Sequence, residues 1–259
     1  MSHPLAASQK THPQRERTLG VRLRGRQGRN LWFGLFIAPF LTGLIVFVYV
    51  PIGWSAVLSF FDARATLHPT TFVGWRNYQY LLTDPLFRDS LLVFTVFALF
   101  IVPLTYLCSL ALALALDNVT RFRAFFRSAF FLPAACSYVV AAMVWRLSFF
   151  NGARFGFVNS ILHRFGADQI NWLGGQGYWY WIALVSLRLW LQVGYYMILL
   201  IAGLNRISPS TYEAAALDGA GRWQTLRHIT LPQLRATSAA VLMLLLIGAF
   251  QAFDEFYNM

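Results

Sequence analysis

Long apolar runs alternate with short polar ones along this chain. Residues 32–61 (WFGLFIAPFLTGLIVFVYVPIGWSAVLSFF), 90–116, about 125–147, 178–203 and 234–253 are the apolar runs. Crossing the hydrocarbon of a bilayer takes about 20 apolar residues as a helix, so each run is long enough. A helix satisfies its own backbone hydrogen bonds, which lipid cannot do. The pattern predicts an all-α bundle of five membrane-spanning helices, the first kinked near Pro39 and Pro51. A buried soluble bundle is the competing reading, and five such runs in 259 residues speak against it.

Composition agrees with the pattern. The chain is 58% hydrophobic and 12% charged, with a mean hydropathy of +0.53. A soluble domain runs about 45–50% apolar and about 25% charged. The net charge of +11 raises nucleic acid as a partner, but its placement argues against one. Lys10, Arg15, Arg17, Arg22, Arg24, Arg26 and Arg29 precede the first apolar run and face one acid, Glu16. A basic arm joined directly to a span is a topology signal, and no nucleic-acid recognition module accompanies it. Residues 1–30 read as a flexible basic cytoplasmic tail, too long for a signal peptide. Cys108 and Cys136 lie in apolar runs as small hydrophobes. The histidines are scattered and show no metal-ligand spacing.

Charge also orients the spans. With the N-terminus inside, the inner segments hold that tail together with Arg121, Arg123, Arg127, Arg206, Arg222, Arg227 and Arg235. The outer segments hold fewer: Arg64, Arg76, Arg88, Arg146, Arg154 and Arg164. The positive-inside rule favours this orientation. Trp75, Tyr78, Tyr80, Trp172, Tyr178, Trp179 and Tyr180 then read as an outer aromatic belt.

The inner loop 206–232 carries the most chemistry. Ser208 followed by Pro209 is an N-cap with proline at the first helical position. Ser210 and Glu213 have capping-box spacing and offer a competing start. Glu213-Ala-Ala-Ala-Leu217 favours a short helix. Gly219 and Gly221 break it, both able to take left-handed conformations. Arg222 to Ile229 forms a second short helix, which Pro232 closes before the next span. A connection could be about four residues long. This longer loop, with helix signals at both ends, points to docking, and leaves Glu213, Asp218, Arg222 and Arg227 free to meet a partner.

These residues resemble the EAA loop of binding-protein-dependent ABC importer permeases. Glu213, Ala214, Ala215, Gly219, Ile229, Leu231 and Pro232 fill the motif's positions. Asp218-Gly219-Ala220 and Ile229-Thr230-Leu231-Pro232 are similar to the carbohydrate-uptake branch, as in maltose or glycerol-3-phosphate permeases. Gly203-Leu204 with Ile207 and Pro209, then Phe150-Asn151-Gly152 with Gly156, Asn159 and Leu162, extend the likeness over residues 31–259.

The resemblance implies a type I importer permease fold and a place as one half of a transmembrane heterodimer. Two cytoplasmic ATPase subunits and an extracytoplasmic solute-binding protein would complete the transporter, in a bacterial or archaeal cell membrane. Each permease would seat its EAA helix in a cleft on an ATPase subunit. ATP and Mg would bind there, this chain would bind no cofactor, and it has no Walker A sequence. Glu213 would pair with a basic residue of the ATPase, and Gly219 would permit the bend that fits the cleft. The cargo would be a sugar or sugar-like solute, or a phosphorylated polyol such as glycerol 3-phosphate. The rival classes are an ion-coupled secondary transporter, which does not explain the EAA loop, and a membrane-embedded enzyme, which lacks convergent acid and base groups.

Polar residues inside spans are costly and face the bundle interior. The fourth span holds Arg188, Trp190, Gln192 and Tyr195, and the fifth ends near Gln251 and Asp254. Trp190 and Tyr195 match aromatic positions of the maltose permease, and helix packing is the alternative for both. Arg188 replaces a neutral amide there. Three roles are open to it: binding an anionic group, pairing with Asp254, or snorkelling to the interface. Five spans from an inner N-terminus leave the C-terminus outside, whereas the family's core has six with both ends inside. The resemblance therefore implies a chain short of roughly one helix.

Overall fold

In the computed structural model, residues 17–63, 68–117, 119–174 and 178–259 are described, with backbone alone for 17–29 and 31. Four helices among them are long and apolar enough to cross a membrane, or five if one sharply bent pair counts as a span. The chain forms two compact units, residues 1–87 and 88–259.

In the first unit, α1 (Arg17–Leu44) passes through a π-helical turn (Ile45–Tyr49) into α2 (Val50–Leu58). The helix starts at Arg17, inside the segment expected to be a flexible tail; the rest of that tail lies outside the described residues. Trp32–Leu58 is one span with a mean hydropathy of 2.3. It runs through both prolines expected to kink it. Pro39 lies inside α1, and Pro51 follows the wide π turn, where the Val50 N–H bonds the Ile45 carbonyl. Proline lacks an N–H and its ring crowds the carbonyl one turn back, and a shifted register accommodates both.

Beyond the span, β1 (Phe61–Asp62) pairs antiparallel with β2 (Thr71–Phe72), with Phe61 opposite Phe72. The Asn77 side chain, on α3 (Arg76–Thr83), donates to the Ser59 and Phe61 carbonyls at 2.8 and 3.0 Å. Phe60, Trp75 and Tyr78 form an aromatic cluster, with Phe60 edge to face on Trp75.

The second unit is built on α8 (Trp179–Leu204). Leu110, Ala113 and Leu116 of α4 (Pro85–Asp117) meet Met197, Leu200 and Leu204 of α8. Leu234, Val241 and Leu245 of the last long helix join the same cluster. Polar side chains tie the helices together: Ser109 Oγ donates to the Val193 carbonyl at 3.1 Å, and Tyr106 OH to Ser238 Oγ at 2.7 Å. Two glycines of α8 permit close approach. A methyl group at Gly194 would collide with the Phe130 carbonyl, and one at Gly203 would lie within 2.8 Å of Leu234 and Thr237.

The third apolar run is not a straight crossing helix. It forms α5 (Arg123–Phe131), a 3-10 turn (Leu132–Ala135), α6 (Tyr138–Val144) and a π turn (Trp145–Phe149). The halves Arg123–Ala135 and Tyr138–Phe149 meet at 94°. Pro133 cannot donate a helical hydrogen bond, and Cys136 and Ser137 take extended backbone angles. Apolar residues continue on both sides of the corner, so the apolar pattern hides it.

Trp172 also departs from expectation. It is 6% exposed, so it is a core residue and not part of an aromatic belt, whereas Tyr178 is 86% exposed. Its indole N–H donates to Asn159 Oδ1 at 3.0 Å and its ring meets Phe150 edge to face. Asn159, on α7 (Phe157–Arg164), is itself 1% exposed. Its amide donates to the Asn151, Ala153 and Ile170 carbonyls while its oxygen also accepts the Ile170 N–H. This one side chain satisfies the backbone of a loop that has no strand partner.

Candidate functional site

Loop 206–232 folds as two helical segments joined at a sharp turn. The first, α9 (Pro209–Leu217), begins at Ser208, whose backbone is extended (φ −63°, ψ 132°), with Pro209 at the first position. The rival start fails: the Ser210 hydroxyl pairs with that of Ser208 at 2.7 Å and makes no capping box with Glu213. Three helix-terminal carbonyls are then collected. The Asp218 N–H bonds the Ala214 carbonyl at 3.0 Å, Gly219 bonds Ala216 at 3.1 Å, and Ala220 bonds Ala215 at 3.0 Å. The last two bonds are the Schellman pattern, which needs a left-handed residue just past the helix. Gly219 supplies it with φ +75°.

Gly221 does not share that role. Its backbone is extended (φ −69°, ψ 165°) and it opens α10 (Arg222–Thr225). The Gln224 side chain accepts the Gly221 N–H at 2.8 Å. A π turn (Leu226–Thr230) then leads into α11 (Leu231–Phe250). Arg222–Phe250 is therefore one span, and Pro232 does not close a separate helix. The arrangement matches that at Pro51: the Leu231 N–H reaches back to the Leu226 carbonyl, and the proline follows.

The turn presents a consistent surface. Ala215 is buried, while Glu213, Ala214, Asp218 and Gly219 are exposed. Leu217 is 90% and Trp223 69% exposed. Ile229 is half-buried, and Leu231 and Pro232 are exposed. The motif positions thus fall into two groups: Ala215 and Ile229 pack inward, and Glu213, Asp218 and the apolar Leu217 and Trp223 point away. The loop's length gave reason to expect docking; these two apolar side chains became visible only in the fold.

The polar face of α8 is a second feature. At about 100° per residue, Arg188, Gln192 and Tyr195 share one face, whereas Trp190 lies roughly 160° round from Arg188. Gln192 Nε2 donates to Tyr138 OH at 2.9 Å. With Tyr195, Tyr196, Leu191 and Ala134 these residues line a groove of about 230 Å³ beside the broken helix. Trp190 instead stacks on Trp145 at 4.9 Å, and Trp145 on Phe149 at 4.8 Å. Tyr138 escaped the sequence reading; its signal is the corner at Pro133–Ser137, since broken helices in membranes line cavities.

Arg188 neither pairs with Asp254 nor snorkels to an exposed surface. It is 3% exposed, ion-paired with Glu255 and hydrogen-bonded to the Gly248 carbonyl. Its guanidinium also lies 5.6 Å from the Phe97 ring centre. Glu255, on α12 (Asp254–Asn258), is equally buried, whereas Asp254 and Gln251 are exposed. The partner is the acid one residue on, because α12 turns that side chain inward. Among the described residues no group of three or more His, Cys, Asp or Glu could hold a metal ion.

Comparison with known proteins agrees with the fold. Residues 106–258 match the family described as "Binding-protein-dependent transport system inner membrane component". The probable ABC transporter permease protein YurN of Bacillus subtilis (strain 168) is 35% identical over 227 residues, covering 86% of this chain and 76% of that protein. The arabinooligosaccharides transport system permease protein AraP of the same organism is 34% identical, covering 86% and 70%. A crystal structure of a bacterial ABC transporter involved in the import of the acidic polysaccharide alginate superposes with a TM-score of 0.73 at 25% identity, covering 91% of this chain and 79% of the other. This chain belongs to the binding-protein-dependent transport system inner membrane component family, the all-α permeases of ABC importers, which carry the transport path and leave ATP hydrolysis to a separate subunit.

Proposed function

We propose that this chain is a permease subunit through which an ATP-driven importer moves a sugar or sugar-like solute. Loop 206–232 is its coupling element, and the N-terminus is cytoplasmic. Its partners are a second permease, two ATPase subunits that bind ATP and Mg, and an extracytoplasmic solute-binding protein. The carrying observation is the Gly219 turn, which holds Glu213, Leu217 and Trp223 exposed on one rigid corner. An acid flanked by two exposed apolar anchors suits a cleft that is apolar inside and basic at its rim. The excess of basic residues on the tail, on 117–127 and on this loop supports the orientation.

Sugar as cargo is supported by relatives named for arabinooligosaccharide, lactose and trehalose/maltose transport. The α8 groove offers suitable chemistry: the Tyr195 and Tyr196 rings for apolar sugar faces, and the Gln192 amide and Tyr138 hydroxyl for sugar hydroxyls. Trp190, Gln251 and Asp254 would act elsewhere along the path. A phosphorylated polyol is less well served, because the Arg188 charge is already engaged by Glu255. Reconstitution of the whole transporter in proteoliposomes tests the reading. Labelled neutral oligosaccharide enters only with ATP and binding protein. Glu213→Lys and Gly219→Asp insert normally but abolish uptake. Normal uptake by these variants overturns the coupling role, and uptake without ATP overturns the importer class.

A further inference from the structure

The α5 segment holds arginine donors that nothing in the described chain satisfies. Arg123 Nε, Arg127 Nε and Arg127 Nη2 are all buried from solvent and lack a hydrogen-bond partner. Asp117 takes only Arg123 Nη2, at 2.7 Å. The two arginines are one turn apart and share a helix face, and Arg121 precedes them. Among the described residues Asp117 is shown paired with Arg123 alone. Buried N–H donors are normally paired, so the arrangement is incomplete without an anion.

The packing register sets the depth of these groups. The Phe130 carbonyl abuts Gly194, and Ala134 lies with Leu191 and Gln192. Hence α5 runs antiparallel to α8, and going back from Phe130 moves toward the Leu204 end. At about 1.5 Å per residue, Arg127 is level with Met197 and Arg123 with Ile201. Arg123 thus sits about 5 Å short of the end of a membrane span. This is the depth of headgroups and upper acyl chain. The surrounding surface is apolar: Phe122 is 75%, Phe125 66% and Leu132 68% exposed.

We propose that Arg123 and Arg127 bind the phosphodiester headgroup of an anionic phospholipid, with Phe122 and Phe125 against its glycerol and acyl region. A guanidinium donates to two phosphate oxygens at once, which uses the orphaned nitrogens. Basic pockets at the ends of spans hold such headgroups in this way. The carboxylates of a partner subunit are the rival, and the exposed apolar rim of Phe122, Phe125 and Leu132 favours lipid, whose headgroups and upper acyl chains meet at this depth.

Native mass spectrometry of the purified transporter complex in detergent tests the assignment, with added phosphatidylglycerol, phosphatidylcholine or inorganic phosphate as probes. The complex retains phosphatidylglycerol over phosphatidylcholine, and inorganic phosphate does not displace it. Each basic residue near the surface is worth about a fivefold change in affinity, so R123Q/R127Q lowers phosphatidylglycerol retention roughly thirtyfold, while R123K/R127K, which keeps the charge and loses the forked donors, falls between that variant and the parent. Equal retention by R123Q/R127Q overturns the proposal. So does release of bound lipid by inorganic phosphate, which marks a free-anion site, or loss of a partner subunit from R123Q/R127Q alone, which marks a subunit contact.

Discussion

Replacing Glu255 with leucine isolates the energetics of the second unit. Arg188 and Glu255 have side chains only 3% exposed, and each is the other's counter-charge. In the Glu255→Leu protein the guanidinium keeps the Gly248 carbonyl and the Phe97 ring face, but no negative charge. Removing one member of a buried pair costs about 3–5 kcal/mol. At roughly 2–4 °C per kcal/mol for a chain of this size, the midpoint of thermal unfolding falls by about 10 °C. The double variant R188M/E255L removes both charges and keeps similar volume. Such replacements are neutral or stabilising, so its midpoint returns to within about 2 °C of the starting protein. The assay is thermal unfolding of the solubilised complex, followed by loss of its size-exclusion peak. A Glu255→Leu protein as stable as the parent refutes the buried pair. A double variant no better than the single shows that packing around Glu255, and not charge, sets the cost.

Two further substitutions probe positions where backbone geometry decides. Gly194→Ala drives a methyl group into the Phe130 carbonyl; overpacking costs about 1–3 kcal/mol, and a backbone neighbour places this at the upper end, read as a lower unfolding midpoint. Asn159→Ala strands the Trp172 indole N–H and the Ile170 N–H, and leaves the carbonyls of Asn151 and Ile170 without their donor. At about 1–3 kcal/mol per unsatisfied buried group, the 151–174 loop opens first, seen as rapid proteolysis there with the long helices intact.

How much of this was legible in the chain depends on how local the cause is. The long spans follow from twenty-residue apolar runs, and Trp32–Leu58 and Trp179–Leu204 lie close to where hydropathy puts them. The start of α9 at Ser208-Pro209 and its end at Gly219 are equally local, because the fixed φ of proline and a left-handed turn each act within a few residues; Ser208 holds the cap position without a side-chain capping bond. Gly221 was misread, since glycine tolerates extended backbone as readily as left-handed. Pro232 was misread because a preceding π turn absorbs a proline without ending the helix.

What the sequence by itself determined, then, is the membrane, the number of apolar runs and the turn at Gly219, all set by composition or by neighbours along the chain. Only the tertiary structure decided that the third run bends by 94° and that Trp172 belongs to the core. It also decided that Arg188 meets Glu255 and that Gln192 faces Tyr138 while Trp190 faces Trp145. These contacts join residues between 35 and 70 positions apart in most cases, and burial of a charge or an indole is a property of the surrounding helices. Hydropathy reports the cost of leaving such groups in lipid; the packing of α8 determines which partner offsets it.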